Sequence, residues 1–119
     1  MGKRRIEFPP QRGRLVVSHS EELSGRRICI YGDPEGLRSL GQLLIAEAEL
    51  NQDNLPDSCL PPGQGHHLHL KPRRHLHPDS VELVVGRLDG KNTGQINGLV
   101  RPVRMKRERK VVELVDAGG

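Results

Sequence analysis

Five of the six histidines of this chain lie within one stretch, GHHLHLKPRRHLH, which runs from residue 65 to residue 77. Imidazole is a common ligand of zinc, nickel and copper, and two histidines one residue apart on a strand project from the same face. His67 and His69 form one such pair, and His75 and His77 form a second. The spacing therefore makes metal binding by these four histidines the first chemical hypothesis.

The turn between the two pairs decides whether they could share a metal. A three-residue loop at residues 71–73 would place both pairs opposite each other on one face. A four-residue loop that extends through Arg74 would send them to opposite faces, because side chains alternate along a strand. The sequence leaves both registers open.

Two observations weigh against a metal site in this stretch. It contains no Cys, Asp or Glu, and Lys71, Arg73 and Arg74 would place fixed positive charge beside a bound cation. We favour a simpler arrangement, in which Leu68 and Leu70 are buried with Leu76 behind them and the histidines occupy the solvent face.

A third interpretation is a basic surface that contacts an acidic partner. Electrostatic steering by such a surface would favour a partner with negative charge. Its candidate residues are His67, His69, Arg73, Arg74, His75 and His77.

The element best defined by the sequence lies upstream of the histidines. RRICIY, residues 26–31, alternates as a half-buried strand, and Gly32 then turns the chain. Asp33 is a good N-cap, Pro34 suits the first helical position, and Glu35 complements the positive end of a helix. Apolar residues recur at helical spacing through to about Leu50 and predict one wide buried face, made of Leu37, Leu40, Leu43, Leu44, Ile45 and Ala48.

The other elements are shorter. We predict strands at residues 14–18, 66–70 and 81–86, with a loop at residues 19–25 and the end of the core near Leu88. The turn-rich segment 51–65 is longer than most loops of compact domains, so we interpret it as either mobile or functional. Two late apolar runs, 99–103 and 111–115, could pair as a hairpin or as edge strands.

These elements predict an α+β fold, with one amphipathic helix packed on a small, mainly antiparallel sheet. At 119 residues the chain is long enough for one ordinary domain. We divide it into a flexible basic segment (1–13), a single α+β domain (14–94) and a basic C-terminal extension (95–119).

The net charge of +4 comes from the two ends, because residues 15–100 hold eight Lys or Arg and eleven Asp or Glu. Basic ends make nucleic-acid binding an alternative function, although the C-terminal run RPVRMKRERK lacks aromatic residues for base stacking. The candidate phosphate contacts there are Arg101, Arg104, Lys106, Arg107, Arg109 and Lys110.

Other function classes find little support in the sequence. Cys29 and Cys59 stand in unrelated contexts, and neither a catalytic triad nor a cofactor motif is present. No apolar run is long enough for a signal peptide or a membrane span, so we expect a cytoplasmic protein without a cofactor and without membrane contact.

The central block resembles a known family. GDPEGLRSL at the start of the helix, HLHL, and DSVELVVG are its most specific parts, within a resemblance to the bacterial immunity protein 32 family that covers roughly residues 28–94. That family is assigned to toxin-neutralising partners in polymorphic-toxin systems. The resemblance implies a protein-binding module that is not an enzyme, with a toxin as its partner and no catalytic residues to carry across.

Overall fold

Two separate antiparallel sheets and one α-helix form the architecture in the computed structural model, which describes residues 7–22 and 25–94. The elements in chain order are β1 (Leu15–Glu22), β2 (Gly25–Gly32), α1 (Pro34–Glu49), a short 3₁₀ helix (Gln52–Asn54), β3 (His67–Leu70) and β4 (Leu83–Gly86). Strand β1 pairs with β2, and β3 pairs with β4. The α+β prediction is confirmed, with the strands divided between two sheets.

Strand β1 is longer than the sequence predicted. Residues 19–22, which we expected in a loop, continue the antiparallel ladder, and Glu22 lies opposite Gly25. Backbone hydrogen bonds need no apolar side chains, so the pairing extends through this polar stretch. The first sheet therefore consists of two strands, β1 and β2, of eight residues each.

Helix α1 begins where the sequence predicted. The Asp33 carboxylate accepts a hydrogen bond from the Gly36 backbone N–H at 2.7 Å, and Pro34 occupies the first helical position. The helix ends at Glu49, one residue before the predicted end. Local chemistry at the N-terminus is sufficient to place the start of this helix.

The buried face of α1 differs from the predicted one. Leu40 and Leu43 are buried, but Leu37, Leu44 and Ile45 are between 44% and 58% exposed. Ser39 and Glu47 are buried instead, because each has a hydrogen-bond partner outside the helix. Satisfied polar groups can replace apolar ones at such positions.

The main core joins both sheets to the helix. Its buried members are Leu15, Val17, Leu40, Leu43, Leu70 and Leu76, with Phe8, Leu68 and Leu83 packed against them. The predicted burial of Leu70 and Leu76 is confirmed, and Leu68 is half-buried beside them. One apolar cluster therefore ties the histidine-rich segment to the first sheet.

A second, more polar interior lies in residues 51–66 and 87–94, which we call the loop-rich region. Lys91 is 1% exposed, and its ammonium group donates to Asp57 and to the Leu60 carbonyl at 3.0 Å. The backbone of Lys91 also exchanges hydrogen bonds with Gly63 and Gln64. The ordered structure therefore continues past Leu88, where we had predicted the core to end.

Candidate partner-binding site

The segment before β1 is fastened along the first turns of α1. The Arg12 backbone N–H donates to Ser39 Oγ at 2.9 Å, and the Gln11 side chain donates to the Gly36 carbonyl at 3.0 Å. A Cβ on Gly36 would overlap the Arg14 carbonyl oxygen, so this close approach requires glycine. The backbone of this segment, which carries Arg12 and Arg14, is therefore held against the helix.

Asp33 also holds the segment before β1 to the start of α1. Its carboxylate accepts backbone hydrogen bonds from Gly36 and, at 3.1 Å, from Arg14. These two bonds, with the Gly36 bond the stronger influence, lower the pKa of Asp33. One carboxylate thus caps α1 and holds the residue that precedes β1.

The histidine-rich stretch does not form the hairpin that we considered. Strand β3 pairs with β4, and residues 71–76 fold into a compact turn in which the Lys71 carbonyl accepts from the N–H groups of His75 and Leu76. Residues 77 and 81 then donate to the Leu15 and Val17 carbonyls at 2.9 Å and 2.8 Å. Neither the three-residue nor the four-residue register is therefore adopted.

This arrangement brings two distant parts of the chain together around a cleft of about 430 Å³. We call it the basic cleft, and its lining residues are Gln11, Arg12, Gly13, Arg14, Leu15, Arg74, His75, Leu76 and His77. Its three arginines, Arg12, Arg14 and Arg74, are all exposed to solvent. A cleft of this size can receive a partner's side chain, and its arginines favour a carboxylate.

The two histidines of the cleft each have one ring nitrogen engaged. His75 Nδ1 accepts from the Lys71 backbone N–H at 3.0 Å, and His77 Nδ1 accepts from the Asp79 backbone N–H at 3.1 Å. In each neutral ring the hydrogen is then carried by Nε2, which acts as a donor. In both histidines the Nδ1 lone pair is therefore occupied, and the N–H group of the neutral ring is at Nε2.

The remaining predicted contact residues lie outside the cleft lining. Arg73 is exposed within the turn at a positive φ of 69°, and His67 and His69 point to the solvent side of β3. His69 donates to Glu82 at 2.8 Å, and this hydrogen bond lowers the pKa of Glu82. Of the six predicted residues, Arg74, His75 and His77 therefore line the basic cleft, whereas His67, His69 and Arg73 do not.

His66 belongs to the interior. Its Nδ1 lies 2.8 Å from Oε1 of buried Glu47, and its ring stacks on Phe8 with centroids 5.5 Å apart. The histidine spacing gave no signal for this role, because Glu47 is on α1, far away in the sequence. Hydrogen bonding to a buried partner assigns His66 to the packing of α1 against β3.

Metal binding by the histidine pairs stays a prediction. Within residues 7–22 and 25–94, no group of three or more His, Cys, Asp or Glu residues is arranged to hold a metal ion. His67 and His69 contact each other edge to face, with ring centroids 4.9 Å apart. They offer one pair of imidazoles, which is fewer ligands than a structural zinc site uses.

The long loop is anchored within the described part of the chain. The Gln52 side chain donates to the Asp89 carbonyl at 2.7 Å and accepts from the His66 N–H at 3.1 Å. Leu55 and Leu60 are buried beneath the loop. Our two interpretations of residues 51–65, as mobile or as functional, stay predictions.

The candidate nucleic-acid contacts, Arg101, Arg104, Lys106, Arg107, Arg109 and Lys110, lie outside the described residues. The predicted strands at 99–103 and 111–115 lie outside them as well. In the part of the chain that the structure covers, no helix is long and apolar enough to cross a membrane.

Comparison with known protein families shows which family this chain belongs to. The family model described as Immunity protein 32 matches residues 28–88, just over half of the sequence. The chain belongs to the Immunity protein 32 family. Comparisons with curated proteins and with solved structures give no match.

The Immunity protein 32 match places the basic cleft partly inside and partly outside the family region. Arg74, His75 and His77 fall within the matched residues, whereas Arg12 and Arg14 precede them. Sequence reasoning placed Arg12 in the flexible basic segment (1–13) and Arg14 at the start of the strand predicted at residues 14–18, and it missed both as site residues. Gly13, Asp33 and Gly36 were the available sequence signal, because they allow the segment before β1 to approach the start of α1 closely. That signal can be interpreted only when the contact between the segment and α1 is known.

Proposed function

We propose that this member of the Immunity protein 32 family neutralises a toxin by binding it, and that the basic cleft receives an acidic side chain of that toxin. The family supplies the expectation of a toxin partner. The observation that carries the proposal is the convergence of Arg12, Arg14 and Arg74 on one cleft. Binding alone, without catalysis, would account for the protection.

Three arginines around one cleft favour a carboxylate for a physical reason. Guanidinium groups can hold a carboxylate through two parallel hydrogen bonds, and the histidine N–H groups add further donors. The residues that line the cleft include no Asp or Glu, and the carboxylates nearby are Asp33, which accepts from the Arg14 backbone N–H, and Asp79, which lies 3.8 Å from His77. The local charge is therefore positive although residues 15–100 carry net negative charge.

The toxin candidate is the product of the neighbouring gene, and the test is its affinity for arginine variants by calorimetry. We expect Arg74→Ala to weaken binding by tenfold or more, which corresponds to about 1.4 kcal/mol, because truncation would leave the toxin carboxylate without its partner. Arg73→Ala is the matched control, since it removes the same charge from the adjacent position outside the cleft lining.

The result separates a defined site from a general charge effect. Equal losses of affinity in Arg73→Ala and Arg74→Ala would mean that general positive charge, and not the cleft, attracts the toxin. That result would contradict the assignment of the site. Unchanged affinity in an Arg12→Ala/Arg74→Ala double variant would exclude the cleft from the interface. If no neighbouring gene product binds the wild-type chain, the toxin-neutralising function itself is wrong.

A further inference from the structure

Two segments of identical sequence, His-Leu-His at residues 67–69 and at residues 75–77, lie in different structural settings. The first is on β3, and the second ends the turn that follows it. A histidine can bind a metal only through a ring nitrogen that offers a lone pair, and the partner of Nδ1 shows which nitrogen carries the hydrogen. The two segments can therefore be compared ring by ring.

In residues 67–69 both Nδ1 atoms are donors. His69 Nδ1 lies 2.8 Å from Oε1 of Glu82, and His67 Nδ1 lies 3.4 Å from the Gly65 carbonyl oxygen. An ionised carboxylate or a carbonyl oxygen can only accept, so each neutral ring carries its hydrogen at Nδ1. Nε2 of both rings is left with a lone pair, and both side chains are exposed to solvent.

Residues 75–77 have the opposite arrangement. Nδ1 of His75 and Nδ1 of His77 each accept a backbone N–H, from Lys71 and Asp79 respectively, so the hydrogen of each neutral ring is at Nε2. A metal at Nε2 would require that hydrogen to move to Nδ1, where it would face the backbone N–H. Metal binding by this pair therefore costs hydrogen bonds that binding by His67 and His69 does not.

The separation of His67 and His69 suits one shared ion. Their ring centroids are 4.9 Å apart. Two imidazoles that bind one ion through nitrogen at about 2.0–2.1 Å have centroids roughly 4.5–5.2 Å apart, for coordination angles between those of square-planar and tetrahedral geometry. Gly86 lies opposite His67 on the neighbouring strand, and it has no side chain to cover the ring.

The partners of the two Nδ1 atoms are of the kind that supports a metal-binding histidine. Such histidines usually donate their other N–H to a carboxylate or to a backbone carbonyl, which orients the ring and raises its basicity. Glu82 and Gly65 supply one of each. Glu82 also places negative charge beside the pair, and this charge offsets that of Lys71 nearby.

We propose that His67 and His69 form a two-histidine site for a divalent transition-metal ion, with Nε2 of each ring as a ligand and Glu82 behind His69. Imidazole ligands favour zinc, nickel or copper over magnesium and calcium. Two protein ligands leave the other coordination positions to water or to a donor from another molecule. The pair does not line the basic cleft, so this site is independent of the proposed toxin contact.

Isothermal titration calorimetry with Ni²⁺ at neutral pH tests the site in the full chain, made without a histidine tag. We expect one ion per chain, and we expect His67→Ala/His69→Ala to weaken binding by about tenfold or more, because both ligands are lost. Each single variant should lose nearly as much as the double variant, since one imidazole cannot chelate.

The matched control is His75→Ala/His77→Ala, which removes the same two residues from an identical segment. Its affinity for Ni²⁺ should stay within about twofold of the wild type, because those rings hold their backbone hydrogen bonds instead of an ion. Electron paramagnetic resonance of the Cu²⁺ complex supplies a second readout. The wild type and the control should show two coupled imidazole nitrogens, and His69→Ala should show one.

Glu82 is a positioning residue, and Glu82→Ala tests its role. This variant should bind Ni²⁺ about tenfold more weakly while it keeps both coupled nitrogens in the Cu²⁺ complex, since it removes the support of one ligand but neither ligand itself. Unchanged affinity for Ni²⁺ in Glu82→Ala would contradict this role.

Three results would overturn the metal site. The first is a wild-type chain without saturable Ni²⁺ binding. The second is an equal loss of affinity in the two double variants, which would mean that any exposed histidine binds the ion. The third is a loss in each single variant that is only half of the loss in free energy of the double variant, which would mean that the rings act separately. These titrations contain no toxin, and toxin binding can be measured with a chelator present, so each proposal can fail without the other.

Discussion

The first sheet packs two aliphatic side chains of β1 against α1, whereas the loop-rich region fills its interior with hydrogen-bonded polar side chains. Leu15 and Val17 are each 1% exposed, and so is Lys91. An aliphatic core needs only shape and apolar surface. A polar interior needs a partner for every donor and acceptor, so its stability depends on particular pairs.

Arg87 shows how the polar interior connects to the rest of the fold. Its guanidinium donates to both Asp89 carboxylate oxygens, at 2.7 Å and 2.6 Å, and to the Leu50 carbonyl at the end of α1 at 2.7 Å. The pair raises the pKa of Arg87 and lowers that of Asp89. One arginine thus satisfies the helix C-terminus and fixes the segment after β4.

The largest expected effect is in the aliphatic region. Leu15→Ala should lower the free energy of unfolding by about 2–5 kcal/mol, because a buried side chain is replaced by a cavity. Chemical denaturation at neutral pH measures the loss. Leu44→Ala, at an exposed position of α1, is the control and should cost well under half as much. Equal losses would mean that the apolar flank of α1 is also packed.

Removal of the buried carboxylate that joins α1 to β3 should have an intermediate effect. Glu47→Ala should cost about 1–3 kcal/mol, since His66 Nδ1 would lose its acceptor in a buried position. Chemical denaturation of Glu47→Ala, compared with that of Glu49→Ala at an exposed position of the helix, measures this loss of stability. No difference between the two variants would show that the Glu47–His66 contact adds nothing to stability.

The smallest effect is a dependence on pH. The lowered pKa of Asp89 means that its charged form is stabilised on folding, so its contribution is complete above the ordinary pKa of 3.8 and is lost as pH falls through the lowered value. Asp89→Asn should therefore reduce Tm at pH 7 and make the acid-induced fall in Tm shallower.

Asp79→Asn supplies the control for that experiment, because the Asp79 side chain is 89% exposed. Its thermal profile should follow the wild type at every pH. A wild-type acid profile in Asp89→Asn would assign the acid sensitivity to other carboxylates, with Asp33 as the next candidate.

Local sequence signals predicted where the helix and strands lie better than they predicted which face of the helix is buried. Asp33 and Pro34 placed the start of α1, because capping depends on residues within one turn. The buried face of α1 was predicted only in part. Leu40 and Leu43 are buried as expected, but apolar spacing could not reveal that residues 10–12 pack against Ser39 and that His66 packs against Glu47. Leu37 and Leu44 lie outside the main core.

The candidate site was only half predicted. Arg74, His75 and His77 were identified as partner contacts from their composition, and the structure places them at the basic cleft. His67 and His69 were included for the same reason but do not line the cleft, and His69 is hydrogen-bonded to Glu82. Arg12 and Arg14 could not be added from the sequence, because about sixty residues separate them from Arg74 along the chain.

By itself the sequence determined the α+β class, the start of α1, the strand character of residues 67–70 and the resemblance to the Immunity protein 32 family. These depend on local spacing, capping and residue type. Only the tertiary structure decided that β3 pairs with β4, that Lys91 is buried and that two arginine-bearing segments share one cleft. Such features depend on contacts between residues far apart in the chain, and local patterns carry no information about which of those contacts form.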